Sequence, residues 1–233
     1  RLTNNTWYEA EVSVSPDGKW IVFGRQIDGK MDLWRMRPDG TGEQQVTFTD
    51  DWQEGAPFYL PDNQTILYRA WKRSEILANK KMRQETGGHR QTSMTIFTMK
   101  TDGTDVQPRT FTNDMNWAPF IAPDGQHFFY VRVFEDNNWE VVMNDLAGGE
   151  PVRITWNKTF DGFPSISPNG QKMLFGRSTG KRFMSGIYTH VMDISALNVG
   201  PGNFKGSIPP RAKRPEGWVE DPGLKEYGDR LGT

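Results

Sequence analysis

Four polar residues recur in step along the chain: Glu9, Glu54, Asn116 and Asp161 each stand seven positions before the proline of a repeated turn phrase. Carboxylates gathered at one point repel and raise one another's pKa unless a cation or a basic side chain joins them. Such a set suits an Arg or Lys brought by a partner, or a hard cation such as calcium. The alternative use is capping of nearby backbone amides along a water-filled channel. No catalytic residue is expected. Gly176-Arg177-Ser178-Thr179-Gly180 matches the nucleophile-elbow pattern G-x-S-x-G, but it follows Met173-Leu174-Phe175 just as Gly24-Arg25-Gln26 follows Ile21-Val22-Phe23. It reads as a strand hairpin, whereas an elbow needs a strand running into a helix. The three histidines, His89, His127 and His190, have no serine and acid arranged as a triad. Zero cysteines exclude disulfides, thiolate zinc sites and a cysteine nucleophile, without deciding the compartment.

The elements that must position these residues follow from the phrase itself. It appears as Ser15-Pro16-Asp17-Gly18-Lys19, Leu60-Pro61-Asp62-Asn63-Gln64, Ala122-Pro123-Asp124-Gly125-Gln126 and Ser167-Pro168-Asn169-Gly170-Gln171, with proline spacings of 45, 62 and 45 residues. Proline presets φ, and the following Gly or Asn accepts positive φ, so each phrase is a tight turn between strands. Apolar runs follow at Trp20 to Phe23, Thr65 to Tyr68, Phe128 to Val131 and Met173 to Phe175. A third strand and a short fourth complete each unit. Four antiparallel strands in about 45 residues make a propeller blade. The expected fold is therefore all-β, a propeller of four-stranded antiparallel blades over residues 1–195, with four blades in this chain. The fourth unit shows no clear fourth strand. Arg1-Leu2-Thr3 looks like the end of one, which either closes the ring against the last blade or follows blades that lie upstream.

Two segments break the pattern. Residues 71–93 in the second unit form a helical insertion, with Ser74 as N-cap and Gly87-Gly88 as the stop. Lys72, Arg73, Lys80, Lys81, Arg83 and Arg90 outweigh Glu75 and Glu85 there, so the insertion either docks on an acidic partner or is a solvated face. Residues 196–233 form an extended tail rich in proline and glycine, which cannot bury enough apolar surface to order itself alone. Phe204, Ile208, Trp218, Leu224 and Tyr227 are spaced like anchors on an extended peptide, which either straps the propeller to a larger assembly or packs on its own blades. The formal charge of −1 gives no electrostatic case for nucleic acid or an anionic membrane, and no apolar run is long enough to span a bilayer.

From Arg1 to about Met192 the chain resembles the TolB-like β-propeller family, whose WD-like repeat is written S-P-D-G-K-x-I-x-F. The most specific matches are Asn116-Trp117-Ala118-Pro119-Phe120 and Thr159-Phe160-Asp161-Gly162-Phe163-Pro164. The resemblance implies the carboxy-terminal four blades of a six-bladed periplasmic ring, including a helical excursion at the insertion. It also implies a non-catalytic protein without a cofactor that serves as a docking or scaffold subunit, with other protein subunits of a membrane-associated envelope assembly as partners. The tail, and the lack of the amino-terminal domain that TolB carries, depart from that pattern. The alternatives are the propeller of a prolyl-oligopeptidase-like or tricorn-like peptidase, gating a separate catalytic domain, and a metal-dependent lyase on acidic sugars. Too few histidines oppose the lyase.

Overall fold

The computed structural model describes residues 1–88, 92–180, 186–219 and 226–227, the side chain of Asp136 excepted. His89, Arg90 and Leu224 lie outside the described residues. The chain folds as a β-propeller whose blades follow one another in sequence. Blade 1 contains β1 (Tyr8–Val14), β2 (Ile21–Ile27), β3 (Lys30–Met36) and β4 (Gln44–Gln45). Blade 2 contains β5 (Trp52–Tyr59), β6 (Thr65–Lys72), β7 (Thr95–Lys100) and β8 (Gln107–Pro108), with helix α1 (Arg73–Thr86) between β6 and β7. Blade 3 contains β9 (Asn116–Ile121), β10 (His127–Phe134), β11 (Asn138–Asp145) and β12 (Val152–Arg153). Blade 4 is a sheet of three strands, β13 (Asp161–Ile166), β14 (Lys172–Ser178) and β15 (Ile187–Asp193). Among the described residues the fourth blade thus stops short of the four strands of the repeat, and Arg1-Leu2-Thr3 joins no strand.

Local chemistry builds each blade the same way. In the first turn Gly18 N donates to Ser15 O at 2.8 Å with Gly18 at φ 71°, and Asn63, Gly125 and Gly170 repeat the bond at 3.1, 3.0 and 2.8 Å. The fourth strands are only two residues long, and a threonine hydroxyl extends each of them. Thr47, Thr110 and Thr155 Oγ1 accept from the backbone N–H groups of Leu33, Ile96 and Val141 at 2.9, 3.0 and 2.9 Å. Every innermost strand also carries a bulge at one fixed place, with Glu11, Ala56, Ala118 and Phe163 at φ between 48° and 58°. A bulge there sharpens the local twist of the strand nearest the axis.

Apolar residues fill the seams between consecutive blades. Val22, Leu33 and Val46 meet Tyr59, Ile66, Tyr68 and Phe97 between blades 1 and 2. Leu60, Leu67 and Ile96 meet Ile121, Phe128, Tyr130 and Val142 between blades 2 and 3. Phe129, Val141 and Ile154 meet Ile166, Met173 and Phe175 between blades 3 and 4. Fully burying side chains of this size is worth roughly 1.5–3 kcal/mol each, so the seams hold the array together. At its two ends the pattern is different: Tyr8, Val12 and Val14 of β1, and Leu174, Tyr188 and Val191 of blade 4, are exposed.

The tail follows the second of its two expected courses and packs on its own blades, crossing them in reverse order. Val199 O accepts from Asp124 N at 3.2 Å, and the Phe204 ring lies against Gly125 in the blade 3 turn. Ser207 O accepts from Gln126 Nε2 at 3.2 Å, and Lys213 N donates to Ala147 O at 2.6 Å. Trp218 meets Phe111 edge-on with ring centroids 5.1 Å apart. Tyr227 is buried between blades 1 and 2. Three of the expected partner contacts, Phe204, Trp218 and Tyr227, are therefore engaged by the propeller itself. Among the described residues the tail packs on the loops and seams of the blades.

Candidate functional site

The starts of the four innermost strands, together with α1, form the face on which the sequence places its polar set. There the register between first and second strands decides what each member does. Glu9 lies opposite Arg25, Asp161 opposite Arg177, and Asn116 opposite Arg132, but Glu54 lies opposite Ala70.

In blade 1, Arg25 Nε donates to Glu9 Oε1 at 2.7 Å, and its two terminal nitrogens form a fork on Glu43 at 2.6 Å each. Trp34, Trp7 and Phe23 stack round the guanidinium. Burial would raise the Glu9 carboxyl, but bonds from Thr3, Asn5 and Arg25 outweigh it and hold the group below its usual range. In blade 4, Arg177 Nε donates to Asp161 Oδ1 at 2.8 Å, and that bond raises the arginine. Blade 3 substitutes an amide for the acid. Asn116 Nδ2 donates to Met94 O at 2.8 Å, and Arg132 turns instead to Asp114, at 2.8 Å from Nε and 2.6 Å from Nη2.

Blade 2 has lost the arginine. Glu54 is fully buried and accepts from Thr49 Oγ1 at 2.7 Å and Thr47 Oγ1 at 3.2 Å. Burial, with the neighbouring Asp32 charge adding to it, pushes its carboxyl up to about 8 against the pull of Thr49. Glu9, Glu54, Asn116 and Asp161 each take part in a local hydrogen-bond network within or between neighbouring strands. Among the described residues no group of three or more His, Asp or Glu side chains is placed to hold a metal ion.

Arg69 supplies a cation that the sequence did not flag. Its side chain crosses Gly55 to reach Glu11 of blade 1, with Nη2 to Oε1 at 2.6 Å, while Glu11 Oε2 accepts from Ala56 N at 2.7 Å. A Cβ on Gly55 would stand 2.2 Å from Arg69 Nη1 and 2.5 Å from Glu11 Oε2. Gly55→Ala should therefore displace the guanidinium and strand a buried ion, costing on the order of 3 kcal/mol in urea denaturation. A loss under about 1 kcal/mol would show that Arg69 relocates freely.

The remaining candidates have structural roles. Ser178 is buried at the end of β14, paired with Ile187 of β15, as a hairpin strand requires. His127 Nδ1 lies 2.6 Å from Asp124 Oδ2, a bond that raises the imidazole, and His190 lies against the Phe175 ring.

Helix α1 projects from this face. It starts at Arg73 with Lys72 in the capping position and no side-chain cap, so the Ser74 cap expected from sequence does not form. Gly87 ends it at φ 70°, as expected, with its N–H on Arg83 O at 3.1 Å. None of its residues is buried, and Leu77 and Met82 are exposed. Asn79 Nδ2 ties it to Thr92 Oγ1 at 2.8 Å. Between helix and blade runs a groove of about 720 Å³, lined by Trp71, Ile76 and Met94 and rimmed by Lys80 and Arg83. The apolar floor was hidden in sequence because Trp71 and Met94 stand at the two ends of the insertion and meet only when it folds back.

No family model matches the chain. Over 142 residues it is 28% identical to the uncharacterized protein Atu1656 of Agrobacterium fabrum, a stretch covering 58% of this chain and 43% of that one. A crystal structure of TolB from Acinetobacter baumannii superposes with a TM-score of 0.58 at 22% identity, covering 83% of this chain and 41% of TolB. A protein assigned as TolB from Agrobacterium tumefaciens superposes with a TM-score of 0.62 at 20% identity, covering 79% and 61%. The fold is that of the TolB-like β-propellers. The chain spans about two fifths to three fifths of the length of these proteins.

Proposed function

We propose that the chain is a non-catalytic propeller that serves as a docking subunit of a periplasmic, membrane-associated envelope assembly, receiving its partner on the face that carries α1. The observation that carries this reading is the helix itself. A helix of 14 residues with no buried side chain gains little from packing, and isolated helices of that length are marginal in water. Residues 72–86 hold five basic side chains, Lys72, Arg73, Lys80, Lys81 and Arg83, against two acidic ones, in a chain whose overall charge is −1. Such a local field steers an acidic partner toward the groove, and the apolar floor gives that partner somewhere to anchor. The TolB-like fold supports the envelope setting.

The triple variant Lys80→Glu, Lys81→Glu, Arg83→Glu tests the reading. These side chains lie on the exposed helix, so melting should shift by no more than a few degrees. Capture of partner proteins from native membranes, quantified by mass spectrometry, should fall at least about tenfold, and wild-type capture should weaken with salt. Undiminished capture by the folded variant would remove α1 as the docking element.

A further inference from the structure

The seam between blades 1 and 2 contains a slot beside Glu54 that receives a side chain of the tail. In blades 1 and 4 an arginine of the second strand lies beside the inner-strand acid, Arg25 on Glu9 and Arg177 on Asp161. Blade 2 has Ala70 in that register, so Glu54 has no arginine and the volume beside it is open to another group. Tyr227 takes it. Its ring packs on Trp52 with centroids 4.6 Å apart and on Phe97 at 5.1 Å. Its hydroxyl donates to Tyr68 Oη at 3.0 Å and shares a hydrogen bond with the Glu54 carboxyl. Only 1% of the residue is exposed, although its neighbour Glu226 is exposed and the sequence around it is charged and glycine-rich.

The slot reads one side chain. Aromatic walls of Trp52, Phe97 and Tyr68 favour a flat ring. Two oxygens at its end require a hydroxyl: a phenylalanine would leave the Glu54 and Tyr68 oxygens short of a bond, and removing a partner from a buried polar group is costly. An aliphatic or charged side chain satisfies neither requirement.

We infer that this seam is a tyrosine-recognition slot, filled in cis by Tyr227 and open to a tyrosine-bearing segment of a partner protein when the tail leaves. The tail displays the chemistry that fits: one tyrosine within a charged, glycine-containing sequence. The slot lies beside Trp52 and Lys72, at the root of α1, so a partner docked on the helix can reach it. It is nevertheless a separate surface, and its test does not depend on the helix.

The experiment uses the full chain carrying Tyr227→Ala, and as probe the synthetic peptide EDPGLKEYGDR, which is the sequence of residues 220–230. Calorimetric titration should show micromolar binding to the variant and at least about tenfold weaker binding to the wild type, whose own tail competes. Replacing the peptide tyrosine by phenylalanine should weaken binding several-fold, and by alanine at least tenfold. Tyr227→Leu, which keeps an apolar group in the seam, serves as a second host in case the alanine variant does not fold. The peptide should bind it more tightly than it binds the wild type. Equal affinity for wild type and both variants would place the peptide elsewhere on the surface and overturn the inference. So would a folded variant that fails to bind, or tyrosine and alanine peptides that bind alike.

Discussion

Replacing Glu54 by glutamine will flatten the fall in stability between about pH 4.5 and pH 8. In the folded chain burial between blades 1 and 2 keeps the Glu54 carboxyl protonated up to about pH 8, whereas its ordinary value is 4.5. Below 4.5 both folded and unfolded states hold the proton, and the contribution of the site is fully present. As pH rises from 4.5 toward 8 only the unfolded state ionises, so stability falls by about 1.4 kcal/mol per pH unit and levels off beyond the folded value. Glutamine does not ionise and retains an amide that Thr49 and Thr47 can still bond. Wild type and Glu54→Gln should therefore unfold at similar urea concentrations at pH 5. At pH 9 the variant should be the more stable, by an amount whose upper limit is on the order of 5 kcal/mol. Parallel pH profiles for the two proteins would mean that Glu54 is already charged when folded.

Arg109 should be the costliest surface-to-seam contact to remove. It is 2% exposed, and its Nε donates to Thr98 Oγ1 at 2.8 Å, Nη1 to Leu146 O at 2.6 Å and Nη2 to Pro209 O at 2.7 Å. One guanidinium thus joins β7, the β11–β12 turn of blade 3 and the tail. Burial lowers it to about 10, with the Asp105 and Asp145 charges working the other way, so it remains charged at neutral pH. Arg109→Met keeps much of the stem and deletes these bonds, leaving the Leu146 and Pro209 carbonyls short of a donor. The expected loss is about 3 kcal/mol in urea denaturation, accompanied by faster proteolysis between residues 200 and 219 while the blades stay intact. Tail cleavage at the wild-type rate would show that Arg109 holds the blades together without holding the tail.

The regular parts of this fold were legible because its signals are local. A turn phrase such as Ser15-Pro16-Asp17-Gly18 fixes its own hairpin, and the apolar run after it can only become a covered strand. The three-stranded form of blade 4 was legible too, since its unit carries the run Ile187 to Met192 but no clear fourth strand. The polar set was legible in position but not in use. Whether Glu9 and Asp161 gather round an ion or pair with an arginine depends on the cross-strand register, and Glu9↔Arg25 and Asp161↔Arg177 are contacts 16 positions apart. Arg69 and Arg109 escaped notice because a lone arginine looks solvated until Gly55 or a tail carbonyl makes room for it. The course of the tail was open for the same reason: its anchors were visible, but the surface receiving them belongs to three different blades.

The reverse path of the tail orders the folding of the molecule. Tyr68 and Tyr227 are 159 positions apart in a chain of 233 residues, so their meeting closes a very long loop, and loop-closure entropy favours it only after the shorter blade contacts exist. On a ribosome the tail emerges after blades 1 to 4, which are then already available to receive it. Its docking therefore acts as a completion step, adding contacts that slow unfolding more than they speed folding. A chain arrested before this step would have the blades but not the seal on the first seam, exposing Trp52 and Phe97 to solvent and to quality-control proteases.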